Sequence, residues 1–391
     1  MDRRNFLKVS SLASTSLLMP NFLRAFSMKA LNFDGKILVV IQLSGGNDGL
    51  NTVIPFRNDD YYSLRPSIGI AESDVLKLND SLGFNPALSG LKNIYDQGYL
   101  TIINNVGYPN PDRSHFRSMD IWHSGSSSSE FWYSGWLGRY LDAQCENGKP
   151  VHSVLEIDDT LSLAVKGENK NALGVTSPKM LYDSVRSLNV TDNSNTGNNN
   201  LDFLYKTLAD TKSSAEYLYD QSTIYKSSVT YPNTELGKHL KTVSELIVSG
   251  TQTSVYYSEH TGFDTHFGQL GKQKNLLSQY SEAVSAFVDD LKLNNKLNDV
   301  VIMTFSEFGR RVAQNASGGT DHGTANNVFI INGALAKPGI YNETPDLKNL
   351  DQGDLIYNID FRNIYSTLLQ KVLKVDDVAI LKGSFSTLDF I

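Results

Sequence analysis

Five short apolar runs constrain this chain more than any other feature. Lys36–Leu43 (KILVVIQL), Leu100–Val106 (LTIINNV), Ser254–Ser258 (SVYYS), Val300–Phe305 (VVIMTF) and Val328–Ile331 (VFII) are nearly continuous in apolar side chains. A strand with one wet face alternates polar and apolar residues, so unbroken runs mark strands covered on both faces, as in a parallel sheet between helices. Amphipathic spacing fills the intervals. Leu270, Leu276, Leu277, Tyr280, Val284, Phe287 and Leu291 fall on a helical stripe, and Asp360 is placed to cap a helix carrying Phe361, Ile364, Leu368, Leu369 and Val372. Strands alternating with helices predict a doubly wound α/β domain. At 391 residues the chain exceeds the roughly 250–300 at which single cores stop growing, so insertions are expected. Residues 175–250, with helical segments at 201–225 and 236–248 flanking the polar stretch 189–200, read as a helical insertion or cap.

The N-terminus is a separate matter. Asp2-Arg3-Arg4-Asn5-Phe6-Leu7-Lys8, followed by the Ser- and Thr-rich apolar stretch Val9–Leu23, resembles a twin-arginine export signal with Asp2 in place of the usual Ser or Thr. Ser10, Ser11, Ser14, Thr15, Ser16 and Pro20 interrupt the roughly 18 apolar residues a membrane helix needs. Residues 1–30 are therefore expected to be a signal for the twin-arginine export machinery, cut near Ala25 or Ala30, or else an amphipathic helix. The body, 31–391, is expected to be exported to the periplasm or beyond, with no stable membrane span. Lys+Arg 35 against Asp+Glu 42 gives a net charge of -7, the wrong sign for a nucleic-acid partner. Cys145 is the only cysteine, which excludes an intramolecular disulfide and a thiolate metal cluster.

In open α/β sheets ligands sit beyond the C-terminal strand ends, and there the polar motifs gather. Asp48 follows the first run in Ser44-Gly45-Gly46-Asn47-Asp48-Gly49, and Ser114 and His115 follow the second. Asp264 and His266 follow the third, Ser306 and Glu307 the fourth, and Asp321 and His322 precede the fifth. Carboxylates and imidazoles at one edge are the donor set for Zn²⁺ or Mn²⁺, with oxygen-rich positions suiting Mg²⁺ or Ca²⁺. Taken singly each has a plainer reading. Asp48 suits a turn, Glu307 a helix N-terminus, Ser114 an N-cap and His266 the surface. His123, His152, His239 and His260 read as ordinary core or solvent histidines, although His260 lies close enough to Asp264 to compete with His266. The set carries the case. No Gly-x-Ser-x-Gly, Gly-x-Gly-x-x-Gly, Walker or His-Glu-x-x-His pattern occurs, which disfavours an α/β-hydrolase triad and leaves nucleotide binding unsupported.

IQLSGGNDGLNTVIP (41–55), SHFRSMDIWHSG (114–125), GFDTHFGQ (262–269), TFSEFGRR (304–311) and TDHGTANNVFIING (320–333), with the twin-arginine start, together resemble the DUF1501 family of exported bacterial proteins. That family looks like a branch of the alkaline phosphatase-like superfamily. The resemblance implies a three-layer α/β sandwich with a mostly parallel central sheet, one or two divalent ions, and Asp48, Asp264, His266, Glu307 and His322 as metal ligands. It implies Ser114 as nucleophile and Arg117 as the holder of the substrate oxyanion; activity surviving in Ser114→Ala would move the nucleophile to His115 or to a metal-bound water. Two departures stand out. Asp264 and His266 are separated by one residue where the superfamily places three, and Ser306-Glu307 falls where an Asp-His pair is usual. Two functions follow as expectations. One is an exported metal-dependent hydrolase of small-molecule or polysaccharide phosphate or sulfate esters. The other is a non-catalytic exported protein that binds an anion or glycan on the same fold.

Overall fold

Ile37–Leu43 shows how the apolar runs organise the molecule. Val39, Ile41 and Leu43 join one apolar core, whereas Leu38 and Val40 join another. Alternate side chains of a strand leave opposite faces, so the sheet separates two cores, and both faces are covered. The computed structural model describes residues 36–188 and 199–391; the segment expected to be an export signal and the polar stretch 189–198 lie outside them.

In chain order the strands are β1 (Ile37–Leu43), β2 (Val53–Ile54), β3 (Leu76–Lys77), β4 (Gly83–Phe84), β5 (Leu100–Gly107), β6 (Val154–Glu156), β7 (Leu173–Gly174), β8 (Val255–His260), β9 (Val300–Phe305), β10 (Asn326–Ile331), β11 (Gly339–Ile340), β12 (Leu350–Asp351), β13 (Asp354–Leu355) and β14 (Ile359–Asp360). The helices are α1 (Asp59–Leu64), α2 (Ser89–Asp96), α3 (His115–Ser124), α4 (Trp136–Glu146), α5 (Pro178–Val185), α6 (Asn199–Ser222), α7 (Glu235–Val248), α8 (Gln269–Leu293), α9 (Phe361–Thr367) and α10 (Asp377–Leu381). Nine strands form the central sheet in the order β11-β5-β10-β9-β1-β8-β6-β7, with β14 also paired to β5. β2, β4 and β3 make a small separate sheet, and β12 and β13 a hairpin.

Helices α2, α7 and α8 supply Leu91, Leu240, Val243, Leu277, Val284 and Phe287 to the first core. Helices α3, α4 and α9 supply Trp122, Trp136, Tyr140, Phe361 and Tyr365 to the second. The result is a three-layer α/β sandwich. Asp360 caps α9 by accepting from the Arg362 amide, but the helical stripe ends in a wider π turn at Leu368–Val372. Among the described residues no helix is long and apolar enough to cross a membrane.

Strand direction creates the site. β8 and β9 run parallel to β1, while β10 is antiparallel to both β9 and β5. The C-terminal ends of β1, β5, β8 and β9 and the N-terminal end of β10 therefore open on one edge. Asp48, Ser114, Asp264, Glu307 and His322 all follow or precede strands there.

Candidate metal centre

Three histidines meet at that edge, each arriving from a different element. His115 is the first residue of α3, His266 lies in the connection from β8 to α8, and His322 in the connection from β9 to β10. Each has its Nδ1 against an oxygen that can only accept. His115 Nδ1 is 2.9 Å from the Glu307 carboxylate, His266 Nδ1 is 3.1 Å from Asp321 Oδ1, and His322 Nδ1 is 2.7 Å from the Arg113 carbonyl. Carboxylates and carbonyls accept, so each Nδ1 carries the hydrogen, a tautomer assigned from the partners. In the neutral rings this leaves each Nε2 with a bare lone pair.

All three lone pairs converge on Asp264. Its Oδ1 lies 3.0 Å from His266 Nε2, 3.3 Å from His322 Nε2 and 3.4 Å from His115 Nε2. His266 Nε2 and His322 Nε2 are 2.9 Å apart. His115 Nε2 is buried and makes no hydrogen bond. Lone pairs facing each other and a carboxylate repel unless a proton or a cation lies among them. A tetrahedral Zn²⁺ with ligands at about 2.0–2.1 Å sets neighbouring ligand atoms about 3.3 Å apart, close to the separations found here. His115, Asp264 and His322 form a set able to hold an ion; His266 adjoins it through Asp264 and His322. An Nδ1–H held by an oxygen acceptor is also the usual support for a metal-binding imidazole.

The charges around the centre act on each of these groups differently. Burial raises the Asp264 carboxyl, but the Arg310 guanidinium, His266 and His115 outweigh it and hold Asp264 down at about 2. The Glu307 hydrogen bond raises His115 above its ordinary value against the opposing effect of burial. His322 is lowered, chiefly by burial. Arg310 is itself fully buried, donating to the carbonyls of Gly46, Thr320, Gly45 and Phe263 and to Asp264 Oδ1 at 2.7 Å. The turn after β1 is shaped to allow it. Gly45 has φ 113°, and a Cβ there would lie 2.5 Å from the Asp264 amide nitrogen. That backbone conformation and that clearance both require glycine. The Gly45 amide in turn donates to Glu307 Oε1 at 2.9 Å.

Glu307 thus acts behind His115. It is completely buried, and its second oxygen accepts from the Ser306 hydroxyl at 3.2 Å. Asp48 stands outside the cluster. It is buried against Arg65, with Nη1 to Oδ2 2.6 Å, and accepts from Gln269 Nε2 and from the amides of Leu50 and Asn51. Arg117 also lies elsewhere in its interactions: it donates to the carbonyls of Ser127, Ser128 and Glu130, and its guanidinium covers the Phe131 ring. Ser114 is exposed at the N-cap of α3. Its amide donates to Asp112 and its hydroxyl does not cap the helix. His260 hydrogen-bonds the Leu276 carbonyl and does not compete with His266. Sequence reasoning missed Arg310, whose signal was its place just after a buried strand, and Arg65, whose pairing with Asp48 no local pattern reveals.

A three-histidine, one-carboxylate constellation at the strand ends of an α/β sandwich defines a candidate metalloprotein. Residues 95–381 match the family model described as a protein of unknown function, DUF1501, and the chain belongs to that family. No curated protein matches the chain. Among solved structures the chain is similar to the lipoteichoic acid synthase LtaP from Listeria monocytogenes, at 10% identity and TM-score 0.40, covering 88% of this chain and 73% of that one. It is similar to the PsFucS1 sulfatase from Pseudoalteromonas sp., at 12% identity and TM-score 0.43, over 93% and 72% of the two chains. It is also similar to a protein in the alkaline phosphatase superfamily from Vibrio parahaemolyticus, at 10% identity and TM-score 0.43, over 91% and 72%.

Proposed function

We propose that this protein is an exported, metal-dependent hydrolase of phosphate or sulfate esters, with His115, His266, His322 and Asp264 holding one divalent ion. The observation that carries the reading is the convergence of three Nε2 atoms, each with its Nδ1 tied back to an oxygen, on one carboxylate oxygen. The donor set fits Zn²⁺ better than Mg²⁺ or Ca²⁺, since nitrogen outnumbers oxygen. When bound, such an ion supplies Lewis acidity toward ester oxygens and toward an attacking hydroxyl. The rest belongs to the chain. Ser114, next to His115 and open to solvent, is the proposed nucleophile. Its Oγ bonds to phosphorus or sulfur as the ester bond to the alcohol oxygen breaks, its proton passing through solvent to that departing oxygen, and water then cleaves the phospho- or sulfo-serine and restores the hydroxyl. The free amides in the first turn of α3 support an anion at the same place. Arg3-Arg4 with Phe6-Leu7-Lys8 support export.

One observation favours a second reading, in which the site binds an anion or glycan without turnover. The Ser114 hydroxyl has no imidazole or carboxylate partner to take its proton. Assay of the mature chain, loaded separately with Zn²⁺, Mn²⁺, Mg²⁺ and Ca²⁺, against p-nitrophenyl phosphate and p-nitrophenyl sulfate separates them. The hydrolase reading expects turnover that Ser114→Ala abolishes with metal retained. Metal retained without turnover of either ester favours the binding role, and full activity in Ser114→Ala moves the nucleophile away from Ser114.

A further inference from the structure

The hairpin β12–β13 is bonded to the segments that carry His115 and His322. Asp354, its innermost residue, is fully buried and is gripped by the Nε and Nη2 of Arg113, Nε at 2.7 Å. Its other oxygen, Oδ1, is buried without a hydrogen bond, with Arg311 Nε 3.9 Å away. A buried ion pair of this kind is weak support for stability, because desolvating the carboxylate offsets most of the attraction. Its position suggests another use. The carbonyl of Arg113 is the atom that receives His322 Nδ1–H at 2.7 Å, so Asp354 fixes the residue whose backbone fixes the imidazole. The same hairpin holds the far side of the His322 connection. The Thr324 hydroxyl donates to the Leu355 carbonyl, and Arg311 donates from Nη1 to the Gln352 carbonyl at 3.0 Å and from its amide to the Asp321 carbonyl at 3.0 Å.

We infer that Asp354 is a positioning residue for the metal centre, acting through Arg113 to set the orientation of His322. The inference rests on the assignment of His322 as a ligand. Outer partners of metal-bound imidazoles typically account for about 10–100-fold in affinity, and Asp354 stands one step further out along the same line.

The test uses the full mature chain, stripped and titrated with Zn²⁺ alone. Asp354→Asn is expected to weaken Zn²⁺ binding measurably, by up to about 10-fold, the lower end of the range for direct outer partners. Arg113→Gln, at a side chain that is one-third exposed, removes the other end of the pair and is expected to do the same should Asp354→Asn fail to fold. Asp142→Asn is the control. Asp142 is a buried carboxylate that holds the 168–170 amides from α4 and has no link to the centre; its loss should leave Zn²⁺ affinity unchanged. Unaltered affinity in Asp354→Asn or in Arg113→Gln overturns the inference, as does an equal loss in Asp142→Asn. Failure of the unaltered chain to bind Zn²⁺ overturns the metal reading itself, a different result from failure of this inference.

Discussion

Replacing Glu307 with Gln probes the centre where it departs most from the expected pattern. The side chain is completely buried, and one oxygen serves both the Gly45 amide and His115 Nδ1, each at 2.9 Å. Glutamine has nearly the same shape, so its carbonyl oxygen can keep both contacts, while the amide nitrogen turns toward Ser306. What disappears is the charge. Two consequences follow with definite signs. The raised affinity of His115 for a proton, caused first by the Glu307 hydrogen bond, loses its main source; burial and Arg310 then oppose Asp264, and the His115 pKa falls. The Nε2 of a ring whose Nδ1–H meets a neutral oxygen is a poorer donor, so metal affinity falls by about 10–100-fold, or about 1.4–2.7 kcal/mol. Histidine ring titration by NMR on the metal-free chain reads the first, and competition against a Zn²⁺ chelator reads the second. An unchanged His115 titration together with unchanged Zn²⁺ affinity would refute the role given to Glu307.

Other outcomes follow from the same structure. Asp48→Asn leaves Arg65 buried without its counter-charge, so unfolding should become easier by about 3–5 kcal/mol while metal stoichiometry stays the same; loss of the ion with stability intact would return Asp48 to the ligand set. His123 and His152 are buried and held near a pKa of about 4, so between the ordinary value of about 6.5 and about 4 the unfolded chain binds more protons than the folded one. Their contribution is complete above about pH 6.5 and is lost as pH falls toward 4, by up to about 3 kcal/mol each. Denaturant midpoints across that range, compared with a His123→Gln variant, should show the unaltered chain losing more stability.

Much of this was legible in the residues. The runs at 36–43, 100–106 and 300–305 read as doubly covered strands because both faces are in fact covered, and β1 shows the alternation between two cores directly. Gathering the polar motifs at one edge also followed from strand direction alone. Pairings across long sequence separations did not. Asp48 reads like a ligand until Arg65 is seen 2.6 Å away, and nothing in Asp-Arg spacing reveals a buried pair. His115 reads as a neighbour of Ser114, yet its ring is held by Glu307, just past the end of β9 and far along the chain. The antiparallel course of β10 is equally invisible in VFII, and it brings His322 to the same edge as the others.

Metal content of the purified mature chain tests the central claim most directly. After exposure to Zn²⁺, Mn²⁺, Mg²⁺ and Ca²⁺ and removal of the excess, native mass spectrometry should find one ion per chain. That ion should be lost or weakly held in His322→Ala and retained in Ser114→Ala. A chain that keeps no ion under any of these conditions, or one that keeps it undiminished in His322→Ala, would contradict the account.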